Sequence, residues 1–465
     1  MSTQNLSTEK LNAEIKPLNR ANANCPEAAP VRLLHLGLGA FHRAHQVWYT
    51  QKADSAWGYA SFTGRSARMS DALSPQDGLF TLVTRSGEGD SPELIFSLVE
   101  AQPAANVERL VELMADPQVA VVTLTITEAG YHLAADGSLD EGNEDVAADI
   151  AVLTGAGESA ELKTAAGKLV RGLAARKAAN AGGMAIMSCD NIADNGALTS
   201  GAVLGLASKV DADLSAWIKD NVTFPSTSID RITPATEDSL ITDVEEQTGF
   251  HDNAPVVTEP FASWIIEGEF PAGRPAWENA GVEFVNDIEQ FERRKLWLLN
   301  GSHSLMAYLG QLRGHATVAD AINDSLVRSH VEALWDEAAN HLTAEGLNVV
   351  GYRQSLIERF ENPRIVHNLA QIAIDGATKQ RMRAVPILKA ELAAGRPGTG
   401  AALSVAAWIA YMLATDEIRD TRAAEINEAK KLDDAILSLI TVLDEDLASN
   451  DEIVAHIKKV VPELS

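Results

Sequence analysis

The chain is short of cysteine and of basic residues, and each shortage excludes a class of protein. Cys25 and Cys189 are the 2 cysteines among 465 residues. They are too few for a disulfide framework or a cysteine-rich zinc site, so we predict a reducing, cytoplasmic environment. Lys and Arg number 38 against 65 Asp and Glu, for a formal net charge of -27. Nucleic acids and anionic membranes need clustered basic residues, so neither is a predicted partner.

Long apolar runs are also missing. No stretch approaches the roughly 20 apolar residues that cross a bilayer, and residues 1–20 are polar throughout, so we expect no membrane or targeting segment. Hydrophobic residues make up 46% of the sequence, with 32 Gly and 17 Pro, which argues against disorder. A chain of this length can form two or three domains with large cores.

After a polar arm, residues 1–30, the sequence predicts an α/β domain. Three runs carry too few polar residues for half-exposed strands: VRLLHL (31–36), VAVVTLTIT (119–127) and GMAIMSC (183–189). Strands buried on both faces indicate a mostly parallel sheet between helices. LFTLVTR (79–85) and LIFSLVE (94–100) predict a hairpin or an edge pair inserted into that sheet.

The pattern changes beyond about residue 286. Apolar residues then recur at helical spacing through 295–311, 326–343, 364–375, 400–413 and 432–448. We therefore predict an α/β domain over 31–286, followed by an all-α domain over 287–465. Ligand pockets concentrate at clefts between domains, so we expect the functional site near this boundary.

A possible dinucleotide-binding turn follows the first predicted strand. Gly37 and Gly39 of GLGAFHRAHQ stand where backbone amides could approach a pyrophosphate, but His42 replaces the third glycine of the usual pattern. A glycine turn without a ligand is the alternative. The position after the first buried strand favours the dinucleotide.

The choice between NAD and NADP stays open at this stage. An NAD site usually has an acidic residue about 20 residues after the turn, where it binds the adenosine ribose. The residues expected there, at the end of the second predicted strand, are Thr63, Gly64 and Arg65, and none of them has a carboxylate. Arg65 or Arg68 could bind a 2′-phosphate, or either could be a surface charge.

The segment ERRKLWLLNGSHS (292–304) carries the strongest candidate chemistry. At about 100° per residue, Asn300 lies roughly 140° and His303 roughly 80° from Lys295, so one helix can direct all three into one cleft. An amine that can lose its proton, beside amide and imidazole donors, suits alcohol or carbonyl redox chemistry without a metal. The same residue types also occur as surface or capping residues.

Six ordered motifs give the chain a resemblance to the mannitol 2-dehydrogenase and fructuronate reductase family of polyol-specific long-chain dehydrogenases. The resemblance covers most of residues 31–380. The motifs are GLGAFHRAHQ (37–46, after the first strand), TITEAGY (125–131), MSCDN (187–191), STSIDRITP (226–234), EPFASWIIEGEF (259–270) and KLWLLNGSHS (295–304). The resemblance implies a Rossmann-like domain with an all-α C-terminal domain, NAD or NADP as cofactor and no metal. It also implies a monomer that acts on a small sugar acid or polyol.

The resemblance also implies a role for each matching residue. Lys295 is the general acid/base, and Asn191 and Asn300 hold the reacting oxygen. His303 orients the substrate, Asp230 is a polar residue of the pocket, and Glu292 passes protons between the lysine and water. The cofactor would be bound by residues of the turn and of two loops: Gly37, Gly39, Ala40, Phe41, Arg65, Thr127 and Glu128.

Two motif details bear on the substrate. The NGSHS form resembles fructuronate reductases, whereas mannitol dehydrogenases tend to show NAGH. In DGATK (375–379), Thr378 stands where mannitol dehydrogenases tend to have a substrate-binding arginine. A sugar-acid carboxylate needs a cation, and the candidates are Arg364, Lys379, Arg381 and Arg383. The sequence favours reduction of D-fructuronate to D-mannonate, with mannitol 2-dehydrogenase or a non-catalytic nucleotide or sugar sensor as alternatives.

Overall fold

The computed structural model describes residues 15–134, 136–156 and 161–464. The predicted N-terminal arm lies outside the described residues up to position 14. From there the chain packs on the first compact unit, where Leu18 is buried against Leu79. The described residues form two compact units, one ending at Ile288 and the other beginning at Glu289.

The first unit contains fourteen strands within its described residues. They are β1 (Lys16–Pro17), β2 (Val31–Leu36), β3 (Gly58–Phe62), β4 (Phe80–Ser86), β5 (Gly89–Ile95), β6 (Leu98–Gln102), β7 (Val121–Leu124), β8 (Met184–Ser188), β9 (Val222–Thr223), β10 (Ser226–Asp230), β11 (Phe250–His251), β12 (Val256–Thr258), β13 (Ser263–Glu267) and β14 (Glu283–Val285).

Six of these strands form a central sheet in the order β6-β3-β2-β7-β8-β9. Every pairing in it is parallel, which confirms the predicted sheet. In chain order the strands run 3-2-1-4-5-6, the doubly wound arrangement whose order reverses between β2 and β7. Ligands bind at the carboxyl ends of the strands beside such a reversal, so this topology locates the candidate site of the first unit.

Both faces of this sheet are covered, because alternate residues of each strand point to opposite sides. One face packs mainly on helices, and the other packs on short helices together with strands β4, β12 and β13. Leu34 and Leu36 belong to one hydrophobic cluster and Leu33 to the other. The helices and helical turns of this unit are Ala40–His42, Arg43–Val47, Trp48–Ala53, Arg68–Leu73, Ser74–Gln76, Val107–Met114, Glu128–Tyr131, Glu144–Thr154, Ala165–Ala178, Asn195–Val210, Ala212–Asn221, Ser239–Thr248 and Trp277–Ala280.

The predicted hairpin exists, but its second strand and its location were wrong. β4 pairs antiparallel with β5, Gly89–Ile95, and not with residues 94–100. β12 joins β4, so the hairpin belongs to a separate three-stranded sheet. The apolar run 94–100 is divided between two sheets, since β5 ends at Ile95 and β6 begins at Leu98.

The described part of the second unit is built from helices, as predicted. They are Glu289–Arg294, Lys295–Asn300, Gly301–Leu305, Met306–Gly310, Val318–Asn323, Ser325–Ala339, Val349–Phe360, Leu369–Ile372, Gly376–Met382, Ala384–Ala393, Thr399–Ala414, Ala423–Ala429, Ala435–Leu443, Glu445–Ala448 and Asp451–Leu464. The predicted segment 364–375 is helical only at Leu369–Ile372, and segment 432–448 is divided between Ala435–Leu443 and Glu445–Ala448. Thr399–Ala414 is buried on nearly all sides, which explains its almost wholly apolar sequence.

Candidate active site

The turn after β2 is held against the first residue after β7. Gly37 has φ +109°, and a Cβ there would lie 1.9 Å from the carbonyl oxygen of Thr125. The Thr125 hydroxyl donates to the Gly37 carbonyl at 2.9 Å. Glycine is therefore required at position 37 both by its backbone angle and by the close approach of a neighbouring loop.

A cavity of about 240 Å³ opens at the carboxyl ends of β2, β3 and β7. It is lined by three of the residues predicted to bind the cofactor, Gly37, Arg65 and Thr127. Gly39 caps the helix that Ala40 begins. The other two predicted residues are Phe41, whose ring stacks on His45 at 4.9 Å, and Glu128, which is exposed and begins a single helical turn.

Two lysines that the sequence did not single out also line this cavity. Lys163 pairs with Glu161 at 2.7 Å, and the Lys168 amine donates to the Ala104 carbonyl at 3.0 Å. Burial lowers the pKa of Lys168. With Arg65 they give the cavity three cations, which suits the phosphates of a dinucleotide. Sequence spacing offers no signal for them, because about 130 residues separate them from the glycine turn.

The carboxylate of Asp190 connects the loops after β7 and β8. It accepts hydrogen bonds from the amides of Ile126 at 3.0 Å and Thr127 at 2.9 Å. The Tyr131 hydroxyl donates to it at 2.7 Å. Asp190 is buried, whereas its predicted neighbour Asn191 is exposed. Sequence reasoning missed Asp190, although its place just after a buried strand was a usable signal.

A second polar network joins the loop after β8 to β10. Asn195 donates to the Thr227 carbonyl at 2.7 Å and accepts from the Thr227 amide at 2.9 Å. Asp230, predicted to lie in the substrate pocket, is the last residue of β10 and is buried. Its neighbour Arg231 donates to the Ala44 carbonyl at 2.5 Å. The network therefore fixes the strand that carries Asp230.

A buried histidine network lies directly beneath the glycine turn. His35 Nε2 is 2.9 Å from the Thr125 hydroxyl, and His35 Nδ1 is 2.8 Å from the Thr123 hydroxyl. Because Thr125 donates its proton to Gly37, it must accept from His35 Nε2. The Thr123 hydroxyl lies within reach of both His35 Nδ1 and the Leu34 carbonyl, at 2.8 and 3.3 Å. Burial lowers the pKa of His35 to about 3, so the imidazole is neutral and Nδ1 accepts from Thr123. The ring of His42 stacks on it at 3.4 Å.

The same reasoning fixes the protonation of the next two imidazoles. His45 Nε2 is 3.0 Å from the Ser263 carbonyl and must donate to it, so His45 Nδ1 accepts from Gln46 at 3.2 Å. The Gln46 oxygen then accepts from His42 Nδ1 at 3.2 Å, and His42 Nε2 faces Ser61 at 2.9 Å. Burial lowers the pKa of His42 well below its usual value.

We expect this network to make the first unit acid-sensitive. Burial lowers the pKa of His35 from 6.5 to about 3, so the unfolded chain binds a proton at pH values where the folded chain does not. The stabilisation is complete above pH 6.5 and is lost as the pH falls below it, at about 1.4 kcal/mol per unit. By pH 5 the free energy of unfolding should fall by about 2 kcal/mol from His35 alone.

Urea denaturation between pH 7 and pH 5 measures this loss. The His35→Gln variant keeps a donor and an acceptor but cannot titrate in this range, so its stability should decline less steeply. An identical pH dependence in the variant and the unaltered protein would contradict the assignment.

The helix that carries Lys295 changes its hydrogen-bonding pattern at that residue. Glu289–Arg294 is α-helical, Lys295–Asn300 is a π-helix, and Gly301–Leu305 returns to α. The prediction of one regular helix was therefore wrong in its angles, which assumed 100° per residue. In a π turn the bonds run to the fifth residue, so each residue turns through a smaller angle and Asn300 comes closer to the face of Lys295.

Side chains from other helices meet the carbonyls of this π turn. Trp335 Nε1 donates to the Leu298 carbonyl at 2.9 Å, and Arg383 Nη1 donates to the Asn300 carbonyl at 3.0 Å. Donors that enter a helical ladder are a recognised cause of such irregularities. Arg294, just before this turn, is buried and donates to the Leu347 carbonyl.

His303 lies in a buried, positively charged part of the second unit. Its ring is 5.1 Å from that of Phe360 and 4.8 Å from that of His367. Among the described residues, its Nε2 atom has no hydrogen-bond partner. Burial lowers the pKa of His303 well below its usual value, and four neighbouring basic side chains lower it further: His367, Arg359, Arg383 and Lys379.

The four candidate cations for a substrate carboxylate differ in their surroundings. Arg383 donates to the Ser304 hydroxyl at 2.9 Å in addition to its bond to Asn300, and burial lowers its pKa to about 10. Lys379 donates to two carbonyls, one of them that of Ile374 at 2.6 Å. Arg364 and Arg381 are exposed. Of these four candidates, Arg383 and Lys379 are the two that act electrostatically on His303.

Two further observations concern the described part of the chain. Within it, no three His, Cys, Asp or Glu side chains are grouped so as to hold a metal ion. No helix there is long and apolar enough to cross a bilayer.

Comparison with known families identifies the chain. The model of the mannitol dehydrogenase Rossmann domain matches residues 31–279, and that of the mannitol dehydrogenase C-terminal domain matches residues 287–465. The chain belongs to the mannitol dehydrogenase family. The predicted family, the Rossmann-like fold with a helical C-terminal domain, and the oxidoreductase class are thereby confirmed.

Relatives of this chain within the family are named for different substrates. D-mannonate oxidoreductase of Escherichia coli (strain K12) is 36% identical over 475 residues, covering 95% of this chain and 96% of that protein. Mannitol 2-dehydrogenase of Cereibacter sphaeroides is 35% identical and covers 83% of this chain and 81% of its own. The ternary complex of Pseudomonas fluorescens mannitol 2-dehydrogenase with NAD and D-mannitol is 32% identical, covers 96% of each chain and has a TM-score of 0.77.

Proposed function

We propose that this dehydrogenase uses NADH to reduce the C2 ketone of D-fructuronate to D-mannonate. The oxidoreductase class follows from the family, and the relatives named above include both a sugar-acid and a polyol enzyme. One observation favours the sugar acid. Three basic side chains, Arg359, Lys379 and Arg383, act on the buried His303, and a buried site with basic side chains favours a substrate that carries a carboxylate.

The chain's own residues fit a dinucleotide at the carboxyl edge of the central sheet. The glycine turn leaves room for backbone amides to approach phosphate, and Arg65, Lys163 and Lys168 line the cavity. Gly39, Ala40, Phe41, Thr127 and Glu128 complete the proposed cofactor site. The bound nicotinamide would supply or accept the hydride at the substrate carbon.

In the proposed reaction Lys295 donates a proton to the ketone oxygen during reduction and removes it during oxidation. The amides of Asn191 and Asn300 stabilise the negative charge that develops on that oxygen. A catalytic lysine needs a pKa of roughly 7 or 8 to work in both directions. Glu292 passes protons between the amine and water.

His303 and Asp230 position the remaining hydroxyls of the substrate. Because burial and neighbouring charge lower the pKa of His303, its imidazole is neutral and has one donor and one acceptor. Its Nε2 atom, which lacks a partner within the described residues, is the atom assigned to a substrate hydroxyl. Asp230 accepts a hydrogen bond from another.

A substrate panel tests this assignment. NADH oxidation at 340 nm should give a kcat/KM for D-fructuronate at least tenfold above that for D-fructose, because a charge-assisted hydrogen bond contributes about 1.5–3 kcal/mol. NADPH is run in parallel with both substrates. Better turnover of fructose would favour mannitol 2-dehydrogenase. NADH binding without turnover of any ketose or ketouronate would favour a sensor.

A further inference from the structure

The residue Thr127 has an unusual backbone conformation for a residue with a side chain. Its φ is +67° and its ψ is +161°, a region that only glycine adopts readily and that costs other residues of the order of 1–3 kcal/mol. Thr127 lines the cofactor cavity. Such strain persists only where the surrounding structure holds it. The contacts that hold this residue therefore matter for the shape of the cavity.

The carboxylate of Asp190 makes those contacts. One oxygen accepts from the Thr127 amide at 2.9 Å, and the other accepts from the Ile126 amide at 3.0 Å and the Tyr131 hydroxyl at 2.7 Å. All three partners are donors, so the carboxylate is used entirely as an acceptor. Asp190 is only 8% exposed, and hydrogen bonds donated to a buried carboxylate hold the donor groups firmly.

The rest of the surroundings keeps this arrangement intact. Tyr131 is 3% exposed, and burial together with the charge of Asp190 raises its pKa, so it remains a donor. The loop of Asp190 is fixed at its start by the Cys189 amide, which donates to the Leu124 carbonyl at 2.7 Å. The segment after β7 and the loop after β8 are thus joined both by the Cys189 amide and by the Asp190 carboxylate.

We propose that Asp190 is a positioning residue that holds Thr127 in its strained conformation and so shapes the cofactor cavity. It exchanges no proton with the substrate. The inference depends on the proposed function in one respect, namely that the cavity binds NADH.

The Asp190→Asn variant tests this role. An amide presents an NH₂ group to donors, so the contacts to Thr127 and Ile126 cannot all form, and the dissociation constant of NADH should rise at least tenfold. The value of kcat at saturating NADH should stay within threefold of the unaltered protein. Titration of NADH fluorescence and steady-state kinetics measure the two quantities. The matched control is Asp194→Asn, an exposed residue with φ +52°, a conformation that Asn tolerates, and NADH affinity should not change.

A double variant separates positioning from general loss of structure. Glycine adopts the conformation of Thr127 without strain, so the Thr127→Gly change should restore part of the NADH affinity lost in Asp190→Asn. A merely structural defect would not be rescued by adding a flexible residue. If Asp190→Asn fails to fold, the Tyr131→Phe variant takes its place as the test of the inference. It removes one donor to the carboxylate and should still weaken NADH binding severalfold.

The outcomes that overturn the inference are distinct. Unchanged NADH affinity in Asp190→Asn, or in Tyr131→Phe where the first variant does not fold, would refute it. A fall in kcat at unchanged NADH affinity would assign Asp190 to the chemical step instead. Failure of Thr127→Gly to restore affinity would refute the strain argument. If the unaltered protein binds no NADH, the proposed function fails and this inference fails with it.

Discussion

Replacing Lys295 with Ala should lower kcat for ketone reduction by about 10³-fold, within the range that general acid–base catalysis contributes. The ketone oxygen gains negative charge as hydride reaches the carbon. Without the amine it would keep only amide donors, which stabilise charge but supply no proton. The NADH dissociation constant should stay within about twofold, because the change removes an interaction made in the transition state.

The kinetic test of this lysine has an internal control. Arg293, two residues away, forms an ion pair with Glu289 on the helix surface, and Arg293→Ala should keep full activity. Added primary amines such as methylamine should restore part of the activity of the Lys295→Ala enzyme. Loss of folding or of NADH affinity in that variant would assign Lys295 a structural role.

The Gly37→Ala change should destabilise the first unit by about 4 kcal/mol and abolish measurable NADH binding. Two causes add: alanine at φ +109° is strained, and its Cβ would lie 1.9 Å from the Thr125 carbonyl oxygen. Relief requires β2 and β7 to separate at the edge where the cavity opens. Urea denaturation and titration of NADH fluorescence measure the two effects.

Gly87→Ala is the matched control for this substitution. A Cβ at Gly87 would meet nothing within 4 Å, and the residue lies between β4 and β5, in a different sheet. Its stability and NADH affinity should equal those of the unaltered protein. A Gly37→Ala protein that unfolds at the same urea concentration would show that the turn adapts to the side chain.

The central strands could be predicted because burial on both faces leaves a direct mark on composition. VRLLHL matches β2 residue for residue. The run 94–100 was assigned wrongly because apolar content alone does not show that Ile95 ends one strand and Leu98 begins another. Whether two neighbouring residues belong to one strand or to two depends on the strands with which they pair. A single stretch of sequence does not show those pairing strands.

One part of the candidate site could be predicted, namely the residues that are spaced along a single helical segment. Lys295, Asn300 and His303 do share one continuous helical stretch. Its π turn was not predictable, since that turn is met by side chains of Trp335 and Arg383, which lie far along the chain. Asp190 was missed for a related reason, because its role depends on amides of another loop.

The π turn at Lys295–Asn300 has a consequence for comparing relatives residue by residue. A π turn holds one more residue than an α turn of similar rise. A homologue with a one-residue deletion here could therefore keep both ends of the helix in place and close the turn into a regular α-helix. Its lysine and asparagine would then diverge in direction, although an alignment would show only a single gap.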